Sequence, residues 1–219
     1  MSVNRAATPR VGRPAYDADA IAERRTMILD AALALVPKLG TDNVRLKDIA
    51  AEARISVGAL QHYFETRDDL LEAAFAHHAR RVVDGINAAI TADDSPWRQV
   101  QCLIERFSLV SDVVSRSALW VEFAAGSARD PQLRHLMGQT YAEWRTILSN
   151  AISAGMSDGA FDPPVSCEQA VDGVCALLDG YEVANAIGVW RDDGATTKVV
   201  LLQLVGAIIG YTGGVGNGR

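Results

Sequence analysis

The strongest constraint on this chain is residues 43–71, which have the pattern of two short helices followed by the start of a longer one. Apolar side chains recur there at three- and four-residue spacing. Ser56 is a suitable N-cap for the second helix, and Thr66 with Asp69 predicts a capping box at the start of the third. Two helices joined by a tight turn form a helix-turn-helix unit, whose second helix enters the major groove of DNA. The stretch therefore predicts a unit that reads DNA.

The net charge of −6 at first argues against a nucleic-acid-binding protein. The charge is unevenly distributed, however: residues 1–67 carry ten Lys/Arg and eight Asp/Glu, whereas residues 68–219 carry eleven and nineteen. This asymmetry indicates a small DNA-binding head on an acidic body. Residues 1–19 are poor in apolar side chains and contain Arg5, Arg10 and Arg13, so we expect a flexible basic arm. The arm either has no role or reaches phosphates or the minor groove.

The chain outside this stretch contains only helical patterns and breaks. A helix over residues 67–89 is too long for the head alone and is expected to link it to the body. The fold class predicted is all-α, with a helix-turn-helix domain at 20–66, a helical ligand-binding and dimerisation domain at 67–213 and a flexible tail at 214–219. The remaining helices are predicted at 19–39, 97–114, 117–129, 131–154, 166–187 and 197–211.

The last two predicted helices are apolar on nearly every face, with Val171 and Leu178 in the first and Leu201 and Ile208 in the second. A helix that is apolar all round must be covered on all sides, which a body this small cannot do alone. We therefore predict a homodimer in which each subunit contributes these two helices to a four-helix bundle. The longest apolar run is about half of the roughly 20 residues that cross a bilayer, so we expect no membrane partner.

Other classes of protein find little support in the sequence. Its three cysteines form no CxxC pair, which favours a reducing cytosol, and no signal peptide precedes the first helix, so a cytoplasmic location is expected. The four histidines lack metal-ligand spacing, and no phosphate-binding or nucleophile motif occurs. We expect neither enzyme activity nor a metal or cofactor.

Several short motifs occur together in residues 20–71. They are a first helix ending at Gly40, Ile49-Ala50, Ser56-x-Gly58-x-Leu60, Tyr63-Phe64 and Arg67-x-x-Leu70-Leu71. In this combination the segment resembles the TetR family of bacterial transcriptional regulators. The resemblance implies a nine-helix homodimer with a C-terminal domain that binds a small molecule and thereby releases DNA. Residues 118–123, 129–133 and 177–180 are similar to the branch containing the choline-responsive repressors of betaine synthesis.

The resemblance and the side-chain chemistry together predict the DNA-binding residues. Phosphate contacts position a protein on DNA, whereas contacts to base edges specify sequence. Gln61 can pair with adenine, and His62 can meet a base edge, unless both are simply solvated. Arg45, Arg54 and Gln61 depart from the family pattern, so the operator sequence cannot be carried over. The predicted DNA-binding set is Arg45, Lys47, Ser56, Val57, Gly58, Ala59, Gln61, His62, Tyr63 and Arg67.

Aromatic and polar residues on the central helices are candidates for a small-molecule site. Aromatic faces beside a carboxylate would suit a cationic ligand, although the same pattern also fits plain core, and Glu122 or Asp179 could pair with arginines. The alternative to an effector-responsive repressor is a ligand-independent regulator or a dimeric helical scaffold. The predicted ligand-binding set is Phe107, Trp120, Phe123, Tyr141, Trp144, Cys175 and Asp179, with Glu122 and Tyr181 nearby.

Overall fold

The computed structural model describes residues 18–91, 93–108, 113–189 and 195–213. Within these ranges the chain forms helices and no named strand, which confirms the predicted all-α class. The nine helices of the described ranges are α1 (Ala18–Leu39), α2 (Leu46–Glu52), α3 (Val57–Gln61), α4 (Arg67–Ala89), α5 (Pro96–Ser108), α6 (Val113–Ser127), α7 (Pro131–Ser157), α8 (Cys167–Ala186) and α9 (Ala195–Ile208).

Helix boundaries follow local capping chemistry. The Thr66 hydroxyl accepts a hydrogen bond from the Asp69 N–H at 3.0 Å, and the Asp69 carboxylate accepts from the Thr66 N–H at 3.1 Å. This is the capping box that the sequence predicted for the start of α4. Asp130 likewise caps α7, and Gly40 ends α1 with a φ of 79°.

Some predicted boundaries are wrong. Ala18 and Asp19, assigned to the basic arm, open α1, while residues 1–17 and the tail at 214–219 lie outside the described part. Val113 and Val114 begin α6 and do not extend α5. Tyr211 lies beyond α9, where it pairs with Phe161 in an isolated bridge.

The apolar side chains form two hydrophobic cores, and the first crosses the predicted border between head and body. It joins the interior of α1–α3 and the first half of α4 to Leu119 and Phe123 of α6 and Leu133 and Met137 of α7. The second core is formed mainly by α5, α8, α9 and the second half of α7, together with Ile86 of α4. The division at residues 66 and 67 stays an interpretation, because the helices on both sides of it share one interior.

Helix α4 contributes to both cores. Leu70, Leu71 and Phe75 lie in the first core, and Ile86, almost three turns further along, lies in the second. A displacement of α4 in the body would therefore also displace its side chains in the first core, because side chains along one rigid helix cannot move independently.

Candidate functional site

The exposed face of α3 presents a compact group of the predicted DNA-binding residues. Leu60 is completely buried and anchors the helix, whereas Val57, Gly58, Gln61 and His62 point into solvent. The Ser56 hydroxyl accepts a hydrogen bond from the Ala59 N–H at 3.1 Å and so fixes the first turn. A side chain at Gly58 would meet nothing within 4 Å. The fold itself therefore does not require glycine there, and the open space in front of α3 is available to another molecule.

Two of the predicted DNA-binding side chains flank this face, and a third makes hydrogen bonds within the protein. Arg45 and Lys47 are exposed at the start of α2. Arg67 is half-buried: its Nε donates to the Val44 carbonyl oxygen at 2.6 Å, and its Nη1 donates to the Asp68 carboxylate at 2.6 Å. The Arg67 side chain therefore ties α4 to the loop before α2. A phosphate contact by Arg67 stays a prediction.

Arg54 occupies the turn between α2 and α3 with a φ of 54°. This left-handed conformation costs an L-residue other than glycine roughly 1–2 kcal/mol. The departure from the family pattern at Arg54 thus places backbone strain directly beside the exposed face of α3.

A cavity in the body lies among α4, α6, α7 and α8. Five of the seven predicted ligand-binding residues line it: Trp120, Tyr141, Trp144, Cys175 and Asp179. Phe123 does not. Its ring is fully buried and packs against Phe75, with the ring centroids 4.8 Å apart, on the head side of the cavity. The side chain of Phe107 lies outside the described part, and Tyr181 is buried in the second core.

The cavity is partly open to solvent and measures about 60 Å³. Since a cavity needs roughly 10–15 Å³ by this measure to hold one water molecule, it has room for about four to six water-sized groups. Its wall is mainly apolar and aromatic, with the Trp120 and Tyr141 ring centroids 5.7 Å apart. Such a wall with a few polar groups is typical of a small-molecule site.

Sequence reasoning missed nine of the residues that line this cavity, and the aromatic or ionisable ones among them are Phe75, His78, Arg116 and Glu182. Arg116 Nη1 donates to Glu182 Oε1 at 2.5 Å, and the Glu182 side chain is only 2% exposed. One signal for Glu182 was present, because Cys175, Asp179 and Glu182 recur at the spacing that places residues on one helix face. The pairing between α6 and α8 had no such signal.

Electrostatics in the cavity are set by burial. Burial, reinforced by the nearby charges of Arg116 and Arg81 and by His77, lowers the pKa of His78 from 6.5 to about 4, so its imidazole is neutral at pH 7. Burial and the hydrogen bond that its hydroxyl donates to Asp179 raise the pKa of Tyr141. By formal charge the wall carries one guanidinium group, on Arg116, and two carboxylate groups, on Asp179 and Glu182.

The head and body also meet through polar contacts of α6 and of the loop that follows it. Glu122, which the sequence placed near the ligand-binding set, accepts a hydrogen bond from the Thr41 N–H at 3.2 Å. Arg129 forms an ion pair with Asp42 at 2.8 Å. Thr41 and Asp42 belong to the loop between α1 and α2. Helix α6 therefore contacts the head through Glu122, two residues beyond Trp120, which lines the cavity.

Comparison with known families agrees with this arrangement. A model of the BetI-type transcriptional repressor C-terminal domain matches residues 97–208, and a model of bacterial regulatory proteins of the TetR family matches residues 28–74. The chain is a TetR-family regulator with a BetI-type C-terminal domain. Proteins of this family are transcriptional regulators and not enzymes.

Relatives of this TetR-family regulator include the HTH-type transcriptional regulator BetI of Burkholderia thailandensis, 28% identical over 75% of this chain and 82% of that protein. A transcriptional regulator from Saccharomonospora viridis, solved in complex with choline, has a similar fold with a TM-score of 0.77. It is 22% identical over 84% of this chain and 96% of its own. FadR from Bacillus subtilis, solved with stearoyl-CoA, has a TM-score of 0.72 at 18% identity, over 84% of this chain and 98% of its own.

The part of this TetR-family regulator that the structure describes lacks two features. No group of three or more His, Cys, Asp or Glu side chains is placed to hold a metal ion. No helix in those ranges combines the length and apolarity that crossing a membrane requires.

Proposed function

We propose that this regulator is a repressor released from its operator when a small cationic molecule binds in the cavity among α4, α6, α7 and α8. The observation that carries the proposal is the excess of one carboxylate in an aromatic cavity. A cation there would compensate the second negative charge and lie against the faces of Trp120, Trp144 and Tyr141. A neutral ligand would leave the half-buried Asp179 carboxylate with no cationic partner, only the hydrogen bond from Tyr141.

The size of the cavity favours a small effector. Room for about four to six water-sized groups fits a ligand with a handful of heavy atoms and is too small for a long acyl chain. Choline in the Saccharomonospora viridis protein and stearoyl-CoA in the Bacillus subtilis protein mark the two extremes of size. The volume and the charge of this cavity both favour the smaller, cationic class.

The proposed head binds the major groove with α3. Gln61 and His62 would read base edges, Val57 and Ala59 would meet thymine methyl groups, and Gly58 would let the backbone approach closely. Arg45, Lys47, Ser56, Tyr63 and Arg67 would position the head on phosphates. Such a protein acts on double-stranded DNA in the cytoplasm.

The proposed homodimer forms through α8 and α9. Both helices leave apolar residues exposed in the single chain: Val183 is 47% exposed in α8, and Val199 and Leu204 are 39% and 43% exposed in α9. Along the same face of α8, Ala176 and Gly180 are small and exposed, which allows close approach of a second helix. Two-fold pairing would place two α3 helices on one side of DNA, so the operator should be a pseudo-palindrome.

The effector signal would travel through α4 and α6. Phe75 of α4 and Trp120 of α6 both line the cavity, with their ring centroids 6.5 Å apart, and both helices also contact the head. An effector must bind one arrangement of these helices better than the other to shift the equilibrium between them. Moving α4 would alter the separation of the two α3 helices and break their match to successive major grooves.

The test is fluorescence anisotropy of the DNA upstream of the protein's own gene, titrated with choline, betaine aldehyde and neutral aromatic compounds. We expect the cations to release the DNA and the neutral compounds to leave it bound. Release by neutral or anionic compounds alone would contradict the cationic class. DNA binding that no compound alters would favour a ligand-independent regulator, and no DNA binding would favour a dimeric scaffold.

A matched pair of variants locates the effect in the cavity. Asp179→Asn removes the excess carboxylate charge and should weaken the response to the cations. Asp172→Asn, about two helical turns earlier on α8, removes a carboxylate that is exposed and paired with Arg145 outside the cavity. It should leave the response unchanged.

A further inference from the structure

Glu182 has one carboxylate oxygen that the fold leaves without a partner. The residue is 1% exposed, and its Oε1 accepts the hydrogen bond from Arg116. Its Oε2 has no hydrogen-bond partner among the described residues. Glu182 lines the cavity, so this oxygen belongs to a buried group in the cavity wall.

An unpaired buried oxygen of this kind is costly. Leaving a buried acceptor unsatisfied forfeits its full hydration, and the penalty is larger for a charged group than for a neutral one. Native proteins therefore pair such atoms with protein groups, water or a ligand. Arg116 already pairs with the other oxygen and no described residue donates to Oε2, so a molecule in the cavity is placed to supply the additional donor.

The position of Glu182 relative to Asp179 limits where that donor can be. The two residues are three apart on α8, which places their Cβ atoms about 5–6 Å from each other on one helix face. A small molecule can therefore bring a positive group to Asp179 and a hydroxyl or amine hydrogen to Glu182 at the same time.

We propose that Glu182 selects effectors that carry an O–H or N–H donor, which binds Glu182 Oε2 while the apolar or cationic body of the molecule occupies the aromatic part of the cavity. This inference rests on the effector cavity of the proposed function and adds a second requirement to it. Charge alone does not satisfy the site. Arg116 acts as a positioning residue, because it fixes the carboxylate by holding Oε1.

The experiment compares two cations of nearly equal size by isothermal titration calorimetry on the full chain. Choline and propyltrimethylammonium differ in a single group, since the hydroxyl of the first is a methyl in the second. Burial of apolar area alone favours the methyl compound by about fourfold, from roughly 0.8 kcal/mol per buried carbon group. A hydrogen bond to a buried carboxylate reverses the order, and we expect choline to bind about tenfold more tightly or better.

Two variants separate the donor requirement from the charge requirement. The double variant Arg116→Met with Glu182→Met removes both charges of the pair without leaving either unpaired, which a buried site tolerates better than one substitution. In this double variant we expect propyltrimethylammonium to bind more tightly than choline. Asp179→Asn should weaken both cations and leave their ratio unchanged. Because the first comparison uses the unaltered chain, it decides the matter even where the double variant does not fold.

A neutral pair makes the outcome independent of the charge of the effector. Benzyl alcohol and ethylbenzene also differ by a hydroxyl in place of a methyl. Preference for benzyl alcohol without binding of either cation would support the role of Glu182 and overturn the cationic class. Cations that bind with the methyl compound equal or tighter would overturn the role of Glu182 and leave the cationic class standing. Absence of binding by all four compounds would overturn both.

Discussion

Lowering the pH should destabilise the folded chain through His78. Its pKa is about 4 in the folded protein and about 6.5 in the unfolded chain, so between these values the unfolded chain holds a proton that the folded one does not. Stability from this residue is therefore fully present above pH 6.5 and is lost as the pH falls toward 4. The cause is burial beside the positive charges of Arg116 and Arg81, which disfavours the imidazolium ion.

The magnitude follows from the two pKa values of His78. One pKa unit corresponds to 1.36 kcal/mol, and integration from about pH 7.5 to about pH 5 gives a loss of about 2 kcal/mol per chain. The full difference, reached only below pH 4, is about 3 kcal/mol. Either amount is a large fraction of the total free energy of unfolding of an ordinary domain.

The assay is urea unfolding, followed by far-UV circular dichroism at both pH values and at one fixed protein concentration. Other carboxylates and histidines also titrate, so the informative quantity is the difference between the unaltered chain and His78→Gln. The variant should lose about 2 kcal/mol less than the unaltered chain on acidification. His135→Gln, at an exposed position of α7, is the matched control and should behave like the unaltered chain. Equal losses in all three proteins would refute the assignment.

Three further predictions concern the recognition face and the packing of α7. Gln61→Ala should cost about 1–3 kcal/mol on the cognate operator and little on random DNA, measured by anisotropy; equal loss on both would exclude a base contact. Arg54→Gly should raise the free energy of unfolding by about 0.5–1 kcal/mol, and with it the melting temperature, since glycine adopts a φ of 54° without strain. A lower melting temperature would contradict this. Gly155→Ala should destabilise by about 1–3 kcal/mol, because its Cβ would overlap the Phe161 ring, whereas Gly138→Ala on the same helix meets no neighbour and should be neutral or stabilising in thermal unfolding.

Local chemistry made much of the fold predictable. The capping pair Thr66 and Asp69 predicts the start of one helix, and Asp130 before a proline predicts the start of another. The structure begins α4 and α7 at these positions. Such signals depend only on neighbouring residues and on the helical period. The break between α5 and α6 had no comparable signal, and there the predicted boundaries were wrong.

Long-range partners were the part that the sequence could not supply. Arg67 bonds to a backbone carbonyl 23 positions away, and a carbonyl carries no residue identity that a pattern could reveal. Arg116 had several possible carboxylate partners, and only the packing of α6 against α8 selects Glu182. Phe123 was misassigned for a simpler reason. It lies three residues after Trp120 and hence about 60° short of a full helical turn, enough to turn its ring from the cavity into the core.

The hydrophobic core shared by α1–α4 with α6 and α7 has a consequence for the construction of hybrid regulators. Exchange of the first 66 residues between relatives would place foreign side chains against Leu119, Phe123, Leu133 and Met137. Packing at such a seam is sensitive to single methylene groups, so a transplanted head would lose stability or its coupling to the body. Retargeting this protein to a new promoter should therefore succeed more readily by changing the few exposed residues of α3 than by grafting an entire head.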